Sequence, residues 1–485
     1  MEYDVIIIGS GLAGLTSGAL LAKKSKKVLM LEQHHIVGGC ATAFKRKNFN
    51  FDVSLHELDG FGNDDLKTEI FKELNIFDNI EFIKLNEFYR VKKGDLDIVL
   101  PYDIKKVKEL LVKRFPNEKK GIDKFFDVII KITQEENKIP FKRWKIYLLY
   151  PLFPLLFPRI TKYQKTPYGK FIDSIIIDDT LKIILSANIG FYHDNPYELS
   201  MLYYSPAQSS YFKNGCYYIK GGGQTLSDYL ANVIKNNGGE VLVKSKVEKI
   251  ITEKNKVVGV KTNKEEFLAN IVIANSSIPQ VVNHFIDNPP LKIKEKINRL
   301  KIGPSFFIIY LGLKKGLKEL GNKNYLTFVF DKSTKKLSDL KMMNDYNQKF
   351  FSITDYSQIN EGKICTISTL DQLSNWENLT KNEYKKKKIE LAETLLKRAE
   401  EIIPRIKDNI EVMEVATPKT MIRYTLNENG TAYGFAQIQE QAGFKRIRNK
   451  GFMKNLYFAS AWSFPGGGYS GAILSGYYCY KEIIG

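Results

Sequence analysis

The sequence predicts an α/β fold, with Rossmann-like strand–glycine–helix patterning recurring in separate stretches of chain and a second, α+β part lying between them. Three observations carry this. A short β-branched run near the start opens directly into a glycine turn and a helix. Strand–glycine–helix patterning returns at residues 215–285 and again over 415–485. Between the first two of these stretches the chain changes to segments rich in Lys, Phe and Leu at helical spacing, and residues 290–415 read as strands and helices of a second region.

The first element, Tyr3–Ile8, is the kind of strand buried on both faces of a parallel sheet. It stops at Gly9-Ser10-Gly11-Leu12-Ala13-Gly14; a helix follows over 12–24, then a second strand, Lys27–Leu31, ending at Glu32. A GxGxxG match alone is weak evidence, but here a strand precedes it, a helix follows it and an acidic residue closes the unit. Gly9 permits the tight turn. Gly11 lets backbone approach a pyrophosphate seated on the helix N-terminus, and Gly14 lets helix and strand pack closely. Glu32 is placed to accept hydrogen bonds from an adenosine ribose.

From about residue 66 to 212 the pattern is helical. One stretch within it, Ile146–Pro158, carries no charge and is flanked by Lys142, Arg143, Lys145, Arg159 and Lys162. Even as a helix it covers only about 20 Å of a roughly 30 Å hydrocarbon core, and Pro151 and Pro154 break it. It is expected to dip into one leaflet, with the basic flanks meeting anionic lipid. Residues 142–162 are therefore read as a membrane-associating segment.

Further on, Gly221-Gly222-Gly223 precedes a helix over 224–236, and short strands follow near 240–243, 247–252, 257–262 and 271–274. An amphipathic helix is expected from about Lys385 to Ile403, stopped by Pro404. The last part holds a strand over 456–461, a glycine turn over 466–471 and a helix from Ala472 to Ile484. No second strand follows that turn, so it is not expected to be a second dinucleotide site.

Composition narrows the function classes. The balance of 73 Lys and Arg against 54 Asp and Glu gives a net charge of +19, a field that attracts nucleic acid, anionic lipid or acidic substrates without choosing among them; no dedicated nucleic-acid module is visible. Four scattered cysteines and five dispersed histidines give no metal site and no disulfide framework, so a reducing compartment is expected. There is no signal-peptide pattern and no run of about 18 apolar residues, so the chain reads as cytoplasmic and peripherally membrane-associated.

Taken together, the N-terminal unit, the run Gly38-Gly39-Cys40-Ala41-Thr42-Ala43-Phe44-Lys45-Arg46, the block Phe49–His56 and the far stretch Ala461–Gly468 resemble the FAD-dependent amine-oxidase-like superfamily. Within it, the chain is similar to the branch of phytoene desaturases, carotenoid cis-trans isomerases and retinol saturases. The resemblance implies non-covalent FAD, held by residues 1–70, 210–285 and 415–485. Residues 71–209 and 286–414 would then form the substrate-binding domain.

Carried over by position, Gly9, Gly11, Leu12, Ala13 and Gly14 hold the pyrophosphate, and Glu32 with Gln33 the adenosine ribose. Gly38, Gly39 and Arg46 line the ribityl and phosphate side, and Val247 meets the adenine. The turn Gly467, Gly468, Gly471 and Ala472 approaches the flavin ring, where a helix start would stabilise an anionic reduced ring. His56 is the candidate catalytic residue.

The implied chemistry is oxidoreduction at carbon–carbon double bonds of a long apolar substrate, by desaturation, saturation or redox-neutral isomerisation. Alternatives on the same scaffold are a non-enzymatic lipid chaperone, an amine oxidase, or action on an unsaturated fatty acid. Oligomeric state stays open.

Overall fold

The computed structural model describes residues 2–63, 65–140 and 142–485, with Arg143 described by its backbone alone; its expected contribution to the basic flank lies outside the described residues. Strand Tyr3–Ile8 lies in the middle of a parallel sheet. In spatial order the strands are Glu240–Leu242, Val28–Leu31, Tyr3–Ile8, Glu266–Ala274 and Leu456–Phe458.

The two-residue period of the strands sorts the side chains. Val5, Ile7, Val28 and Met30 face helix Leu12–Lys23, while Ile6, Ile8, Leu29 and Leu31 face Val281, Phe285 and Phe435. Ile297, from helix Leu291–Asn298, joins this second core. That helix therefore packs with the parallel sheet, beyond the boundary at 285 expected from sequence.

Glu266–Ala274 serves two partners. Its first residues pair antiparallel with Lys256–Thr262 and its last pair parallel with Tyr3–Ile8. Sequence reading found only its end, because the first half is solvated on one face and alternates polar with apolar residues. Strand Leu456–Phe458 is shorter than expected, and the final helix begins at Gly468 rather than Ala472. Gly476 of that helix lies against the Ala13 carbonyl, which leaves no room for a Cβ and lets the two helices approach closely.

The second sheet is mixed and seven-stranded. Its order is Ile410–Ala416, Ser305–Leu313, Ile364–Asp371, Phe351–Asp355, Leu326–Val329, Tyr89–Lys93 and Leu96–Leu100. Helix Lys381–Glu400 packs Ala392, Leu395, Leu396 and Ala399 onto Phe307, Ile309 and Ile367. It starts four residues before the expected Lys385, because Thr380 and Glu383 form a capping box at its head. A small sheet of Leu58–Asp59, Cys216–Ile219 and Phe82–Lys84 ties the early chain to the helical region.

Residues 142–162 fold into short helices, Arg143–Leu149, Phe153–Leu156 and Pro158–Tyr163. The segment is not core: Leu148 is 70% and Leu155 78% exposed, with Trp144, Tyr147 and Tyr150 beside them. Phe157 and Ile160 are buried and anchor it, and the Phe153 ring packs on Phe157 and Phe444. Of the apolar side chains expected to insert, Phe157 is thus corrected to an anchor and Phe153 to a partly buried support. No helix among the described residues is long and apolar enough to cross a membrane.

Candidate active site

The carboxyl end of the parallel sheet opens into a cleft of about 1170 Å³. Of the residues singled out from sequence, all but Gly14 and Arg46 line it.

At one end, Glu32 is buried and fixed. Its Oε2 accepts from the Ser10 amide at 2.8 Å and the Ser10 hydroxyl at 2.6 Å, and its Oε1 accepts from the His34 amide at 2.8 Å. Gln33 and Val247 border the same end. Gly9 has φ +91°, a conformation glycine adopts without strain. Gly38, at φ +119°, donates its amide to the Ser10 carbonyl at 2.9 Å and so ties the second glycine turn to the first.

Gly11 and Gly14 are glycines for a reason additional to the expected one. A Cβ on Gly11 would meet Asn275 Oδ1 at 2.5 Å, and one on Gly14 would meet the Gly9 carbonyl at 2.7 Å. Asn275, just past its strand, accepts from the Gly11 amide at 2.9 Å and donates to the Ala459 carbonyl. It links three segments of chain at the loop. No local motif marks it; only its position after a strand end did so.

Arg46 is corrected. Its guanidinium is half exposed and donates to Glu414 at 2.8 Å, because strand Ala43–Arg46 ends in solvent, with Lys45 and Arg46 both exposed. Gly14 likewise acts through packing rather than by facing the cleft.

The glycine turn at the other side of the cleft caps helix Gly468–Ile484. Gly468 has φ +78°, and a Cβ there would meet nothing within 4 Å, so this backbone lies open. Two helix N-termini, at Leu12 and Gly468, thus border one cleft, with first-turn N–H groups that lack intrahelical acceptors. This arrangement fits a dinucleotide: a pyrophosphate at the first helix, a ribose at Glu32 and a ring at the second. The continuation past the turn reaches Ile146, Phe444 and Tyr478, at the exposed apolar segment.

His56 lines the cleft, its ring stacked 6.3 Å from Phe191 and its Nδ1 3.4 Å from the Thr354 hydroxyl. Burial lowers its pKa to about 4, so the ring is neutral near pH 7 and holds no proton as a cation. Beside it lies a group that sequence reading missed. Lys67 is almost fully buried and pairs with Asp59 at 2.7 Å; Ser210 donates to Asp59 at 2.6 Å, and Ser470 also donates to it. Burial opposes the Asp59 charge, but the Lys67 ammonium outweighs it and holds the carboxyl below its usual range. The available signal was the acidic pair Glu57 and Asp59 directly after His56. The partners at 67, 210 and 470 are too far apart in sequence to form a motif.

The model for flavin containing amine oxidoreductases matches residues 12–484, and the chain belongs to that family. It is a flavin-dependent enzyme whose cofactor is FAD. The chain is 30% identical over 501 residues to prolycopene isomerase 1, chloroplastic, from an Oncidium hybrid cultivar, covering 99% of this chain and 84% of that protein. It is 27% identical to all-trans-retinol 13,14-reductase from Danio rerio, covering 89% of this chain and 77% of that one. An oxidoreductase from Methanosarcina mazei shares the fold, with a TM-score of 0.66 at 17% identity over 99% of both chains.

Proposed function

We propose that the protein acts on carbon–carbon double bonds of a long apolar polyene, carotenoid-like or retinoid-like, taken up from a membrane surface. One observation carries this reading. The cleft that begins at the glycine loop and Glu32 continues past the Gly467–Gly468 turn to Ile146 and Phe444, beneath the exposed leucines of residues 142–162. A substrate of low water solubility would then enter from lipid without crossing water. The similarity to a prolycopene isomerase and a retinol reductase supports the substrate class.

Bound FAD would supply exchange of an electron pair at a double bond. The protein's own part is to hold it. Glu32 would take the ribose, the Leu12 and Ala13 amides the pyrophosphate, and Gly38, Gly39 and the Gly467–Ala472 turn the remainder. The Asp59–Lys67 pair, locked by Ser470, would fix the start of the helix that faces the ring. Lys142, Lys145, Arg159 and Lys162 flank the apolar segment and support a peripheral dock on anionic lipid. All four cysteines are free thiols, which supports a cytoplasmic-facing location.

The test is anaerobic incubation of the FAD-loaded protein with poly-cis-lycopene or all-trans-retinol in anionic vesicles, with the flavin chemically reduced. Isomerised lycopene, or retinol heavier by two hydrogens, is expected by chromatography and mass analysis. Turnover of a primary amine with neither polyene changed would sink the proposal.

A further inference from the structure

Arg446 follows the turn Gly443–Lys445 and runs inward until only 2% of it is exposed. Its guanidinium donates to three backbone carbonyls: Phe435 at 2.6 Å, Ala461 at 2.7 Å and Tyr433 at 3.5 Å. Its Nε has no acceptor, and no carboxylate among the described residues pairs with it. A buried cation without an anion is costly, because carbonyl dipoles replace only part of its hydration. Neutral amides brace carbonyls nearby without that cost: Gln441 donates to Lys301 and Ala436, and Asn449 to Phe458 and Phe464. The charge at 446 therefore asks for an explanation that bracing does not give.

The carbonyls it holds locate that charge. Tyr433 and Ala461 line the cleft, and a Cβ on Gly467 would lie 2.9 Å from the Tyr433 Cα. The guanidinium thus sits one layer of backbone behind the Gly467 turn. Its surroundings do not cancel it. Tyr203 is the titratable group that faces it, and burial raises that hydroxyl above its usual range, so it stays neutral. The carboxylate at the same turn, Asp59, is matched by Lys67.

Resting on the placement of the flavin ring at the Gly467–Ala472 turn, we infer that Arg446 is the fixed positive charge that makes the bound flavin a stronger electron acceptor. Two electrons and one proton entering the neutral ring leave it with one negative charge. A cation close behind the turn favours that form and changes binding of the oxidised form little. Buried in the wall, it is only weakly screened by salt. It touches no reacting atom: it tunes the cofactor through its field, and holds the turn through the carbonyls.

The test measures the flavin potential of the FAD-loaded protein against a reference dye, with xanthine and xanthine oxidase supplying electrons. Arg446→Gln keeps a donor and removes the charge. It should lower the ratio of reduced to oxidised flavin at fixed potential at least tenfold, about 30 mV for a two-electron couple. Arg446→Lys keeps the charge and should recover most of that shift. Sulfite, which bonds through sulfur to the flavin N5 and leaves its charge on the ring, should bind wild type and Arg446→Lys at least tenfold more tightly than Arg446→Gln. Wild-type potential and sulfite affinity in Arg446→Gln would overturn the inference, as would a lysine variant shifted as far as the glutamine one. Absence of any sulfite adduct in the wild type would overturn it without recourse to a variant. Ala472→Leu, at the cleft side of the turn, should shift the flavin's visible band or expel FAD. If it does neither, the ring placement fails and the inference with it; if it does, and the Arg446 variants match wild type, the inference alone fails.

Discussion

Glu32 does two jobs at once: it closes the end of the cleft proposed to take the nucleotide and, through Ser10 and His34, braces the turn that leads into it. Hydrogen bonds to a charged group contribute about 1.5–3 kcal/mol each. Glu32→Ala should therefore weaken FAD binding at least about tenfold, read as flavin absorbance per protein after gel filtration; full flavin content would contradict the assignment. Gly11→Val is a less clean probe than the sequence alone suggests, because its Cβ also strikes Asn275. His56 gives a pH signature. Its folded pKa of about 4 lies below the ordinary 6.5, so the unfolded chain binds the extra proton first. Stability is then complete above about pH 6.5 and lost as pH falls toward 4, by up to about 3 kcal/mol. His56→Gln should flatten the urea midpoint across that window; an unchanged acid slope would show that other groups govern it.

Among the elements, the short helices of residues 142–162 make the strongest physical demand. Leu148, Leu152, Leu155 and Leu156 stand in solvent while Phe157 and Ile160 fasten the segment beneath them. Burial of a leucine gives about 1.5–3 kcal/mol, so four on lipid give on the order of 6–12 kcal/mol before ordering costs. Flotation with anionic vesicles should survive high salt in part, because salt screens the lysines and not the leucines. Leu148→Asp with Leu155→Asp should abolish it and leave flavin content intact; unaltered flotation would remove the membrane dock. Phe153 is unsuitable for this test, because its ring is packed against Phe157 and Phe444 and its loss would also disturb the fold. The sequence showed this segment because thirteen uncharged residues with three prolines are legible without a partner. Which of its side chains point outward was not legible, since the proline breaks leave no single helical period to extrapolate.

In the whole molecule, both glycine turns open on one cleft, so the turn at 466–471 completes the first site rather than building a second. NADH or NADPH should accordingly fail to bleach the flavin within seconds in stopped flow; rapid bleaching would require a nicotinamide site elsewhere on the protein. By itself the sequence determined the βαβ unit, the return of strand–glycine–helix patterning in two later stretches, and nearly all of the cleft-lining glycines. Those features rest on local rules: β-branched runs, glycine conformations, and an acidic residue at a fixed distance from a turn. Arg46 escaped those rules because a motif position does not say which way a hairpin side chain faces. Only tertiary structure brought Asn275 to Gly11, Lys67 and Ser470 to Asp59, and left Glu57 without a donor. Each of these depends on contacts between residues far apart in the chain, and on donors already committed elsewhere. Burial and hydrogen-bond satisfaction are properties of the packed whole, and no spacing along the chain encodes them.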